Sequence, residues 1–159
     1  MSLLTQNRGR PLYPSYADAG GWALAARFAG ALALVAVGVV HLQQYVELYS
    51  TVPTIGTLFL LNFAGAVLLA VTLLCPVERW ADKRGEALVA LAAVGGVALA
   101  AIAFVFLAVS EHSSIFGFHE PGYDPTAIAV ARIAEFATVV LLAAYLIARF
   151  ALNTSTRRW

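Results

Sequence analysis

Residues 23–45 read ALAARFAGALALVAVGVVHLQQY, with one charged side chain, Arg27, and one histidine, His41, before the closing glutamines. A helix of a soluble protein keeps one face polar, whereas this stretch is apolar on every side for most of its length. At 1.5 Å per residue it extends about 34 Å, enough to cross a hydrocarbon core of about 30 Å. Three further stretches have the same character, at about 53–74, 86–110 and 125–150. The pattern predicts an all-α integral membrane four-helix bundle with helices at about 22–45, 53–74, 86–110 and 125–150. The membrane domain then covers 21–150, with a flexible tail over 1–20 and a second tail over 151–159.

Composition agrees. Of 159 residues, 61% are hydrophobic and 12% charged, about half the charge of an ordinary soluble domain. The formal net charge of +1 leaves no basic stripe for phosphates, so nucleic acid is not an expected partner. The single cysteine, Cys75, has no second thiol in the chain to pair with. The segment MSLLTQNRGRPLYPSYADAG lacks the apolar run of a cleavable signal. No G-x-S-x-G, P-loop or G-x-G-x-x-G motif occurs, which argues against the common enzyme classes.

Orientation is read from the basic residues. Arg8 and Arg10 precede the first span, Arg79, Lys83 and Arg84 separate the second and third, and Arg157 and Arg158 follow the fourth. The connections at about 46–52 and 111–124 contain neither lysine nor arginine. Both termini are therefore expected in the cytoplasm, with the chain in the plasma membrane. Arg27 and Arg149 are expected to snorkel to the inner headgroups, and Tyr45, Tyr49 and Tyr123 to form an outer aromatic belt. Asp124 before Pro125 reads as the N-cap of the fourth helix, and Ser50 or Thr51 before Pro53 as that of the second. Gly30, Gly38, Gly65 and Gly96 are expected to let neighbouring helices of the bundle approach closely.

Against this background, polar side chains inside the spans stand out. Counting from Pro125 places Arg132 about 10 Å and Glu135 about 15 Å deep; counting from Pro53 places Asn62 about 13 Å deep. Arg132 and Glu135 are three positions apart, on one helix face and within reach of each other. An unpaired charge near the bilayer centre costs about 3 kcal/mol on insertion scales, so a pair turned into the bundle is expected. His41, near the outer end of the first span, completes a candidate ligand or proton site of Arg132, Glu135, Asn62 and His41, opening outward. The same pair read as a plain structural staple fixes the rotation of the fourth helix. A weaker metal or haem alternative rests on His41, His112, His119 and Glu120, although no H-x-x-x-H or H-E-x-x-H pattern supports it; no cofactor is predicted. Phe116 and Phe118, flanking Gly117, either lid the outer opening or anchor their loop at the headgroups.

The segment Thr51 to Asn62, TVPTIGTLFLLN, with Phe116-Gly117-Phe118-His119-Glu120, resembles small four-span integral membrane proteins of actinobacteria. The resemblance implies the four-span fold and carries no catalytic residues across. The expected function is a small bacterial membrane protein with an outward-opening polar site, a binding or accessory component more than an enzyme. The alternatives are a structural subunit of a larger membrane complex, and an oligomeric transporter or channel. The expected partners are the lipid bilayer and other membrane subunits or copies of the chain, met through small-residue helix faces.

Overall fold

The computed structural model describes residues 16–120 and 122–156. The chain forms α1 (Tyr16–Gln44), a π-helical turn (Tyr45–Tyr49), α2 (Ile55–Leu74), α3 (Val77–Ser110) and α4 (Pro125–Thr156). Four segments are long and apolar enough to cross a membrane: Gly20–Tyr49, Ile55–Leu74, Lys83–Ser110 and Pro125–Ala151. The expected tail over 1–20 lies outside the described residues up to position 15, and α1 already begins at Tyr16. Most of the expected tail over 151–159 is a continuation of α4, with Arg157 and Arg158 outside the described residues.

Each helix packs against its sequence neighbours and α1 packs against α4, while α2 and α4 make no contact across the diagonal. The order is an up-and-down ring, as short connections favour. One end of the bundle carries the start of α1, the end of α4 and the α2–α3 corner; we call it the elbow end. The other carries the π turn and the 111–124 loop; we call it the hairpin end.

The elbow takes its shape from Gly85. A Cβ placed there would lie 2.4 Å from the carbonyl oxygen of Val77. Eight residues of straight helix span about 12 Å, so α3 must bend sharply between these positions. Glycine allows the approach. The basic run expected as a loop is thus the first, folded-back part of α3, with Arg79, Trp80, Lys83 and Arg84 exposed.

Arg27 locks the corner. It is 5% exposed and does not snorkel, contrary to expectation. Its Nε donates to the Leu73 carbonyl (2.6 Å) and its Nη2 to the Cys75 carbonyl (2.9 Å), satisfying groups that the end of α2 leaves open. Its Nη1 pairs with Glu78 at 2.5 Å. This guanidinium holds the Glu78 carboxyl below the usual glutamate range. Arg149 donates to the Tyr145 hydroxyl (3.0 Å) and lies 3.6 Å from Glu86. Polar groups are therefore not confined to one side of the bundle.

The main core belongs to the elbow half, around Leu34, Leu73, Val89 and Leu142. Leu142 is fully buried because two glycines make room for it: a Cβ at Gly30 or Gly96 would sit 2.5 or 2.6 Å from its methyl carbons. Gly38 faces Ala66, Gly65 faces Leu99 and Gly95 faces Leu69 in the same way. The small residues serve contacts within the bundle, which close packing in a membrane requires.

At the hairpin end, Asp124 Oδ1 accepts the Ala127 N–H at 3.0 Å, an N-cap of α4. The second helix differs from expectation. It starts at Ile55 after Thr54, whose φ is 66°, and no side chain caps it. Its start instead sits against the π turn, where a Cβ at Gly56 would fall 2.3 Å from the Tyr49 carbonyl oxygen.

Candidate functional site

In the hairpin half the four helices line a partly open cavity of about 200 Å³. Its walls are apolar: Val40 of α1, Ile55, Leu58 and Phe59 of α2, Ile102, Phe106 and Leu107 of α3, and Ala127, Ile128 and Ala131 of α4. Three polar side chains line it away from the span ends, His41, Asn62 and Glu135. Nearer the loop it is rimmed by Gln44, Tyr49, Ser110, Glu120 and Asp124.

Glu135 is 1% exposed, and its Oε2 has no hydrogen-bond partner. Asn62 Oδ1 is likewise buried and unpartnered. Such atoms are uncommon in folded proteins, and here both lie in the walls of one cavity. His41 Nε2 stands 3.9 Å from Glu135 Oε1, too far for a hydrogen bond. The other ring nitrogen, Nδ1, is 2.8 Å from the Val37 carbonyl oxygen. A carbonyl only accepts, so Nδ1 carries a proton, and Nε2 is the ring nitrogen on the Glu135 side.

Arg132 is elsewhere. Its guanidinium pairs with Glu111 at the end of α3, and it is absent from the cavity lining. The expected Arg132–Glu135 pair is therefore not formed. Sequence spacing puts the two on neighbouring helix positions, but long side chains choose their partners in space. Arginine reaches outward to a partly exposed carboxylate, and Glu135 turns inward.

The metal alternative fares differently at each residue. His112 is exposed, with Nδ1 2.8 Å from the Ala108 carbonyl oxygen, and His119 is exposed on the loop. Glu120 is buried and already engaged: Oε2 accepts the Tyr49 hydroxyl, and Oε1 accepts the Gly122 and Tyr123 N–H groups at 2.9 and 3.1 Å. Among the described residues no three His, Cys, Asp or Glu side chains converge as a metal would require.

Glu120 is instead the anchor of the 111–124 loop, whose own N–H donates to the Ser110 carbonyl. Ahead of it, Ile115 and Phe118 exchange two backbone hydrogen bonds around Phe116 (φ 51°) and Gly117 (φ 79°). Two positive φ values make this a tight hairpin turn of the type favoured between twisted strands. The turn separates the two phenylalanines. Phe118 lines the cavity and meets Tyr49 edge-on at 5.3 Å, whereas Phe116 is 65% exposed and stacks on Phe106 at 6.4 Å. One covers the site and the other faces outward.

Tyr49 was expected in an aromatic belt and is in fact 4% exposed. In an α-helix, five residues carry a side chain about 140° away from Gln44. The wider π turn, closing i to i+5, brings Tyr49 back toward the face that Gln44 and His41 occupy. There it stacks on Phe59 at 4.8 Å, and Phe59 meets His41 at 5.2 Å. Gln44 donates to Asp124 Oδ2 at 3.0 Å, tying α1 to the start of α4. The Ala127 N–H, with this amide, holds the Asp124 carboxyl below the usual aspartate range. Tyr49, Phe59, Gln44 and Ser110 are further site residues, joined to the cavity by the π turn and by packing between helices.

No family model, curated protein or solved structure matches this chain.

Proposed function

We propose that the chain is a small multi-pass protein of the bacterial plasma membrane, with both termini cytoplasmic. Its function is to bind a small molecule in the hairpin-half cavity, entered from the extracytoplasmic side. The observation that carries this reading is the pair of unpartnered buried acceptors, Glu135 Oε2 and Asn62 Oδ1, in the lining of one cavity. A purely structural staple would pair its polar groups, because an unmet acceptor in an apolar interior costs a few kcal/mol. A bound molecule carrying hydrogen-bond donors removes that cost. The orientation is supported by the exposed Arg79, Lys83 and Arg84 at the elbow end and by the lysine- and arginine-free loop at the other.

The packed half favours binding over conduction through one chain. Leu34, Leu73 and Leu142 are fully buried below the cavity and leave its elbow side filled. The reading as a subunit of a larger complex draws less support, since Gly30, Gly38, Gly65 and Gly96 meet neighbouring helices within the bundle.

Native mass spectrometry of the protein in nanodiscs tests the proposal. A small molecule bound one per chain is expected, and it should be lost from Ala103→Leu, which adds bulk to the cavity wall. Absence of any bound species, or equal retention by this variant, would refute the assignment.

A further inference from the structure

The chemistry of the cavity narrows the ligand class. We propose that the site selects a small amphipathic amine in its protonated form, the ammonium group against Glu135 and the apolar body against Phe59, Ile102 and Phe106. This rests on the cavity being a binding site at all.

Three features lead to it. The unmet buried polar atoms among the cavity residues are both acceptors, Glu135 Oε2 and Asn62 Oδ1. A primary ammonium carries three N–H donors and no acceptor, which complements this set; a carboxylate or phosphate carries acceptors only and repeats it. The second feature is charge. The lining includes the carboxyls of Glu120, Asp124 and Glu135 and no lysine or arginine. Glu120 and Asp124 are held by neutral donors: a tyrosine hydroxyl, backbone N–H groups and an amide. The nearest cation on α4, Arg132, is committed to Glu111 outside the cavity. A ligand cation therefore supplies an adjacent countercharge to Glu135, on which Arg132 acts only from beyond ion-pair distance, and intramembrane charges are stabilised by such pairing.

The third feature is the aromatic wall. Phe59, Tyr49 and Phe118 form a continuous chain of ring contacts along one side, 4.8 and 5.3 Å between centroids. Aromatic faces attract cations, most strongly where water is excluded. The volume of about 200 Å³ suits a ligand of roughly one ring or a short chain bearing the amine.

The experiment uses three probes of one shape, phenethylamine, 2-phenylethanol and 3-phenylpropionate, titrated into protein in phosphatidylcholine nanodiscs, with empty discs subtracted. The amine is expected to bind saturably, one per chain, at least tenfold tighter than the alcohol or the acid. Glu135→Gln should remove that preference, leaving the amine no tighter than the alcohol measured on the same variant. The N,N,N-trimethyl analogue, a cation without N–H groups, should bind more weakly than phenethylamine. The ranking in the unaltered protein needs no variant, so a folding defect in Glu135→Gln does not protect the idea. Equal binding of amine and alcohol, blocked in both cases by Ala103→Leu, overturns the amine class and leaves a binding cavity standing. A trimethyl analogue that binds as tightly as the amine overturns the donor requirement. No saturable binding of any probe sinks the amine class and counts against the binding site itself.

Discussion

The two halves of the bundle are built from the same kinds of residue and end up as opposites. In the elbow-half core, glycines sit opposite leucines, and Leu142 occupies the room that Gly30 and Gly96 leave. The polar groups there are met. Arg27 alone satisfies two carbonyls at the end of α2 and the Glu78 carboxylate. In the hairpin half the apolar cluster is Val40, Ala127 and Ala131 with Leu107 beside them, Tyr49 and Ile55 are buried near it, and two cavity-lining residues, Asn62 and Glu135, each keep an acceptor without a partner. The lesson is a division of labour. One half supplies the packing that holds helices together in lipid, and this allows the other to carry groups that cost stability.

The contrast can be broken most severely at its filled end. Leu142→Ala is expected to cost about 2–5 kcal/mol, through lost contacts and a cavity that the two glycines cannot close. Unfolding of the purified protein by denaturant in detergent measures it, and a cost near zero would show that this half is not the packing centre. A sharper comparison uses one helix. Ala93 is fully buried in the elbow-half core, and Ala103, ten positions on, lines the cavity. Ala93→Leu should overpack and cost about 1–3 kcal/mol, while Ala103→Leu should cost about 1 kcal/mol or less. Similar penalties for both would erase the distinction.

Tyr49→Phe removes the hydroxyl that meets Glu120 and leaves a buried carboxylate oxygen short of a donor. A loss of about 1–2 kcal/mol is expected, with faster hydrogen exchange concentrated in 111–124. Exchange that rises uniformly across the protein would mean that the hydroxyl does not specifically hold this loop. The smallest effect concerns pH at the elbow. Arg27 lowers the Glu78 pKa, so the carboxylate adds stability above its unfolded value, and that stability is lost as pH falls through the depressed folded value. The thermal midpoint should fall on acidification, and the fall should be shallower in Glu78→Gln.

Much of this was legible in the chain itself. The four spans follow from apolar length, and the Asp124 cap from its place before Pro125, because both are local properties with a fixed rise and a fixed hydrogen-bond pattern. His41, Asn62 and Glu135 could be singled out because a polar residue within an apolar span is conspicuous wherever it points. What could not be read was who meets whom. Arg132 was placed beside Glu135 by spacing, and the fold gives it Glu111. Arg27 was expected at the headgroups, and the fold buries it over the end of α2.

The sequence by itself determined that four stretches are long and apolar enough to cross a membrane, and which side chains are too polar to be ignored there. These are matters of composition and of 1.5 Å per residue. The tertiary structure alone decided that Tyr49 turns inward on a π turn, that α3 folds back at Gly85, and that Glu135 is left facing a cavity without its arginine. The physical reason is reach: helix rotation, a sharp bend and long side chains are set by packing against other helices, and that information is shared among distant segments.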